Sequence, residues 1–174
     1  FGGSIEHRMR RIPEIIEGVR SRCRPDFLLG LRLSPERFDV HLPDIIEVAR
    51  AVLAAGKIDF LDMSLWDSFK EPEDEAFKGR SLLSYFTELD RGDVVLGIAG
   101  KLRNPEEVSR AMATGIDFVM LGRAAILHHD FPLLMQADSD FTPVRNPVSV
   151  DYLRAQGLGE AFITYMSGWK GFVG

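Results

Sequence analysis

The chain is poor in cysteine, with Cys23 alone among 174 residues. It therefore has no internal disulfide, and one thiol fits a reducing compartment. No apolar run approaches the roughly 18 residues of a membrane span, and no signal-peptide pattern is visible, so a cytoplasmic protein is expected. Basic residues are not in excess: 21 Lys and Arg stand against 26 Asp and Glu, for a net charge of -5. Both signs are interspersed, which gives no reason to expect nucleic acid or an anionic membrane as partner. There is no Cys pair, no nucleophile elbow and no P-loop. His7 and His41 have no partner at ligand spacing. His128 and His129 are neighbours that point apart on a helix, with no carboxylate cluster beside them, so they read as capping or solvated residues and no metal is expected. Low-complexity segments and interdomain linkers are missing too. So is an initiator methionine. The chain opens on Phe1-Gly2-Gly3-Ser4, which is loop chemistry, and reads as a piece of something longer.

What is present describes an ordinary globular protein, 45% hydrophobic and 27% charged, long enough for a real core. Ser4 is placed to cap a helix whose apolar stripe runs Ile5, Met9, Ile12, Ile15, Ile16 and Val19, with Pro13 expected to kink or split it. Residues 27–33 read as a buried strand. A helix opened by Asp44 follows, with Ile45, Ile46, Val48, Ala49, Val52 and Leu53 on one face and Gly56 at its end. Residues 58–63 read as a second strand, 66–80 as a polar loop and 81–89 as a short helix. Residues 94–98 and 117–121 are the third and fourth strands, with a helix over 105–114 between them. A short helix at 124–127 follows the last strand, and two more are expected at 150–155 and 160–166.

Strands alternating with helices predict βαβ units and a parallel sheet. Four βα units plus a tail make about half of a (β/α)₈ TIM barrel, which needs about 250 residues. A half barrel leaves two sheet edges open, to be covered by another chain or segment.

The strongest chemical signal is a pair of strand ends. Val94-Val95-Leu96-Gly97-Ile98-Ala99-Gly100 and Phe118-Val119-Met120-Leu121-Gly122-Arg123 are apolar runs closing on glycine. In such barrels the loops after the last two strands are a favoured phosphate site. Gly100 permits close backbone approach, and Lys101 supplies its N–H and can add its charge. Gly122 and Arg123 open a short helix whose amides could meet the guanidinium on a phosphate. Gly122 read alone is equally a turn glycine, and Lys101 a solvated side chain. Trp66 follows the second strand on the same face, either walling a substrate pocket or simply packed.

Phe1-Gly2-Gly3-Ser4-Ile5-Glu6-His7-Arg8-Met9-Arg10 closely resembles the segment after the fourth strand in the old yellow enzyme family of FMN-dependent oxidoreductases. Gly30-Leu31-Arg32-Leu33-Ser34-Pro35 is similar to that family's fifth strand. Gly100-Lys101-Leu102-Arg103-Asn104-Pro105-Glu106 and Gly122-Arg123 are similar to its seventh and eighth strand ends, although many relatives have Gly-Gly where this chain has Gly100-Lys101. The segment from Asn146 to Phe172 resembles one branch of the family.

The resemblance implies that residues 1–130 are strands 5 to 8 of an FMN-binding TIM barrel, and that 131–174 are a C-terminal extension on the barrel or a neighbouring subunit. It implies an ene-reductase chemistry: hydride from NAD(P)H to FMN, and from the flavin to an activated alkene or related electrophile. Arg32, otherwise a surface arginine in a salt bridge, would lie beside the flavin N1 and O2 edge. Gly100, Lys101, Gly122 and Arg123 would hold the FMN phosphate. The family's proton-donor tyrosine and substrate-anchoring His/Asn or His/His pair lie upstream of the Gly-Gly-Ser motif, so no catalytic residue is expected in this chain. By itself it should be inactive. Expected partners are a small-molecule substrate, the missing N-terminal half and a second subunit met by the tail at Trp169, Lys170, Gly171 and Phe172. Two other readings stay open on the residues alone: a flavin-independent sugar-phosphate barrel enzyme, and a non-catalytic half-barrel module.

Overall fold

The computed structural model of the protein describes residues 2–37 and 39–174; Phe1, the first residue of the Gly-Gly-Ser motif, lies outside them. The chain divides into two compact units, the first made of residues up to Gly100 with Ala111–Met120, the second of Lys101–Arg110 with Leu121–Gly174.

The first unit holds α1 (Ile5–Met9), α2 (Arg11–Arg20), β1 (Gly30–Leu33), α3 (Leu42–Ala55), β2 (Phe60–Ser64), α4 (Ser84–Thr87), β3 (Val95–Ala99) and β4 (Phe118–Met120). The strands form one parallel sheet in the order β1-β2-β3-β4. This α/β order of four βα units is that of half a TIM barrel, as the sequence pattern predicts. Side chains alternate across a strand, so the register sorts them into two faces. Leu33, Leu61, Met63, Leu96 and Ile98 occupy one face and are buried. Against that core, α3 buries Val48, Ala49, Val52 and Leu53 along one stripe, the 3.6-residue period legible in the sequence. The opposite face carries Arg32, Phe60, Asp62, Val95, Gly97, Phe118 and Met120, of which Val95 and Met120 are exposed.

Two glycines shape that second face. Phe60 lies where a Cβ on Gly30 would fall, and Phe118 where a Cβ on Gly97 would fall. The two rings then meet edge to face at 5.9 Å, a geometry aromatic pairs favour. At the amino ends of β2 and β4, next to these phenylalanines, an acid directly precedes the strand. Asp59 Oδ2 accepts the Leu29 N–H at 2.6 Å and Arg20 at 2.6 Å. Asp117 Oδ2 accepts the Leu96 N–H at 2.8 Å and pairs with Arg91. These bonds to the charged form hold both carboxyls below their ordinary range, the backbone N–H contributing most and the arginine next.

The stripe splits into two short helices, one of the two outcomes expected at Pro13, with the break three residues earlier. That break falls at Arg10, and Pro13 sits in the first turn of α2, where a missing N–H costs nothing because that donor has no partner within the helix.

The second unit contains the start of α5 (Pro105–Met112), then α6 (Arg123–Leu127), α7 (Phe131–Ala137), α8 (Val150–Ala155) and α9 (Glu160–Ser167). It has its own core of Leu127, Val148, Leu153, Ile163, Met166 and Phe172. Helix α7 is not foreseen from sequence. Pro132 lies in its first turn, and the polar residues after it hide the short apolar run. Among the described residues no helix is long and apolar enough to cross a membrane.

Candidate cofactor site

Arg32 stands near the carboxyl end of β1, on the open face of the sheet. Parallel pairing sets it opposite Asp62 of β2, and its guanidinium meets two groups of that strand. Nε lies 3.3 Å from Asp62 Oδ2, and Nη2 donates to Ser64 Oγ at 3.0 Å. The arginine side chain is 55% exposed, whereas that of Asp62 is only 4% exposed. Burial pushes the Asp62 carboxyl above its ordinary range, and the Arg32 charge pulls it partly back. The surface arginine in a salt bridge, which the sequence leaves open, is thus half realised. Arg32 is paired, yet more than half of its side-chain surface remains exposed on the sheet face. Asp62 is a residue that sequence reasoning missed. The signal available was an acid inside an apolar strand run, an environment in which charged residues are rare unless paired.

Beyond the ends of β1 and β2 lies a cavity of about 230 Å³, lined by Ser34, Arg37, Ser64, Leu65, Trp66 and others. The Arg37 guanidinium stacks 3.7 Å from the centre of the Trp66 ring. Both residues have positive φ, 83° for Arg37 and 63° for Trp66, a conformation side chains rarely adopt and which tends to collect at functional loops. The loop carrying Trp66 is tethered through Glu36. Its Oε1 accepts the Glu73 N–H at 2.7 Å, and its Oε2 pairs with Lys70 at 2.7 Å. Trp66 therefore sits at a cavity on the strand-end side of the sheet, 54% exposed.

The β3–β4 register pairs Ala99 with Met120, so the two strands end at the same level. Gly100 follows, and its glycine has a packing cause: a Cβ there would lie 3.0 Å from the Ser68 N and Oγ, both of which donate to the Gly100 carbonyl. Lys101 has a φ of 51°, the left-handed conformation that glycine in this position would adopt without strain.

In the second unit Gly122 takes the N-cap position of α6 with no side-chain cap, and a Cβ on it would meet nothing within 4 Å. The space in front of this turn is open. The Arg123 guanidinium lies over the Trp169 ring, 5.0 Å from its centre. Trp169 is set in turn by edge contacts to Tyr165 and Phe172. Arg123 also lines a cavity of about 640 Å³ with Arg103, Arg145, His128 and the loop 139–146. His128 is half-buried, and its Nε2 accepts the Val144 N–H at 2.9 Å. Burial lowers its pKa, which keeps the ring neutral for that role. His129 Nδ1 lies 2.9 Å from Gln156 Oε1. Neither histidine has an acid cluster beside it: among the described residues no group of three His, Cys, Asp or Glu side chains gathers as a metal site would require.

No family model matches the chain. It is similar to a cinnamate reductase of Clostridium sporogenes, with 29% identity over 154 residues that take in 76% of this chain. The matched part is 23% of that protein, so the chain spans about a quarter of the length of its curated relative.

Proposed function

We propose that the chain is the cofactor-holding half of an FMN-dependent NAD(P)H oxidoreductase of old yellow enzyme type. The observation that carries the reading is Arg32. Its guanidinium meets Asp62 and Ser64 on the open face of a parallel sheet, and the side chain as a whole is 55% exposed there. A fixed cation beside the N1 and O2 edge of a flavin would stabilise the negative charge of the reduced ring. The match to a cinnamate reductase supports an activated alkene as the hydride acceptor.

The residues present fit such a group. The turn at Gly122 leaves its backbone uncovered, and Arg123 can make charge-assisted hydrogen bonds to a phosphate. Gly100 and Lys101 would offer backbone N–H groups to the same phosphate. Trp66 would wall the substrate side. When bound, FMN supplies the two-electron chemistry, taking hydride from NAD(P)H and returning it to the alkene. This chain's residues bind and orient it, while the acid and the substrate anchor come from sequence outside these residues. Strands β1 and β4, at the two edges of the sheet, are where further strands of a closed barrel would pair. A second subunit against the tail is part of the same proposal.

The test is anaerobic. The natural full-length protein, loaded with FMN, should bleach at the flavin bands on addition of NADH or NADPH, and regain colour on addition of an α,β-unsaturated acid or carbonyl. A colourless protein that binds sugar phosphates would support the flavin-independent barrel enzyme instead.

A further inference from the structure

One buried polar atom is left over on the sheet face. Asp62 Oδ2 faces Arg32, but Asp62 Oδ1 is inaccessible to solvent and has no hydrogen-bond partner. An ionised carboxylate with one oxygen unsatisfied is expensive in a protein interior, and a purely structural position is filled better by an apolar side chain. The neighbourhood offers little else to explain it. Asp62 pairs in register with Arg32 on one side and Gly97 on the other. The Gly97 site is covered by the Phe118 ring. The one charged group on the acid is therefore Arg32, and the acid lies behind it, inside the protein, while the guanidinium faces out.

We propose that Asp62 is a positioning residue for Arg32: it fixes the guanidinium at the carboxyl end of β1 and offsets part of its charge, and so sets how strongly the site favours a reduced, anionic flavin. This rests on the reading of Arg32 as a flavin contact. The orientation follows from the geometry. Nε is engaged by Asp62 and Nη2 by Ser64, which leaves the Nη1 edge for a ligand. The charge effect depends on the pair: the buried carboxylate is poorly screened, and it is Arg32 beside it that favours its charged form, because burial alone favours the neutral acid.

The experiment is a reductive titration of the FMN-loaded full-length protein against a reference dye. Asp62→Asn keeps the shape and an acceptor oxygen but removes the charge. It should shift the flavin equilibrium toward the reduced form by at least tenfold, about 30 mV for a two-electron couple. In an Arg32→Ala background the same substitution should shift it less than threefold. An unchanged potential in Asp62→Asn overturns the proposal. So does a shift of equal size without Arg32, which would mean that Asp62 acts on the ring directly.

A second measurement needs no flavin. The Arg32 Nε–H should exchange slowly by ¹⁵N NMR in the wild type, where it lies against a buried carboxylate, and faster in both Asp62→Asn and Asp62→Leu, which lack that charge. Exchange in the wild type as fast as at Arg24, whose partner Asp26 is exposed, overturns the positioning role. A full-length protein that takes up no FMN while Arg32 exchanges slowly would sink the flavin reading and the tuning role, and leave the pairing intact.

Discussion

Asp59 and Asp117 hold equivalent places in the sheet. Each directly precedes a strand, each accepts the N–H of a residue on the neighbouring strand segment (Leu29 or Leu96), and each binds an arginine, Arg20 or Arg91. The two βα units repeat this device, and the sequence repeats with them as Ile58-Asp59-Phe60 and Ile116-Asp117-Phe118. The repeated phenylalanines are the same two rings that close over Gly30 and Gly97.

The paired acids predict how the fold fails in acid. Both carboxyls titrate below their unfolded value in the folded state, so their contribution is complete above pH ~4 and is lost as pH falls through the folded pKa. Asp117→Asn should lower stability at pH 7 by about 1 kcal/mol and flatten the acid limb. Thermal melts between pH 7 and pH 2.5 measure both.

His128 predicts a separate limb at higher pH. Its ring is held neutral by burial while it accepts the Val144 N–H. Its folded pKa is depressed, so its contribution is present above about pH 6.5 and is lost as pH falls through the lower folded value. The protection factor of Val144, corrected for intrinsic exchange, should fall as pH drops below about 6.5 in the wild type. Protection that stays constant from about pH 7.5 down to acid unfolding would contradict this role.

Gly97 predicts a steric result. A methyl group there meets the Phe118 ring, so Gly97→Ala should destabilise the protein by about 1–3 kcal/mol. Gly97→Ala combined with Phe118→Leu should recover part of the loss. Denaturant unfolding of the single and double variants checks the coupling. Additive losses would show that the ring does not fill that space.

Trp169 predicts a phosphate-specific effect. Its ring lies under the Arg123 guanidinium, a contact worth about 0.5–2 kcal/mol. On the proposed function, Trp169→Ala should weaken FMN binding severalfold and leave riboflavin, which has no phosphate, unaffected. Parallel titrations with the two flavins decide it; equal weakening of both would assign Trp169 to general packing.

Much of the sheet is legible in the sequence, because strands and helices of a βα unit bury opposite periods. The apolar runs ending at Leu33, Met63, Ile98 and Leu121 and the stripe Val48-Ala49-Val52-Leu53 give the four strands and α3 directly, with boundaries shifted by a few residues. The glycines and Arg123 at the strand ends are legible for the same reason, since turns declare themselves locally. The Arg32–Asp62 pair is not. Its members stand 30 positions apart, and only the parallel register brings them together. The left-handed conformations of Arg37, Trp66 and Lys101 are equally hidden, because no local residue choice signals them. The three arginines around the second unit's cavity come from three separate segments, and no linear pattern joins them.

An FMN held by this chain, as proposed, would show itself in the absorption spectrum of the natural full-length protein and of its Arg123→Ala variant. The expected result is flavin bands from FMN released on denaturation, with affinity about tenfold weaker or more in the variant, as for a lost charge-assisted hydrogen bond. A colourless protein that takes up no added FMN, or an Arg123→Ala variant that binds it as tightly as the wild type, would rule out the proposed FMN site.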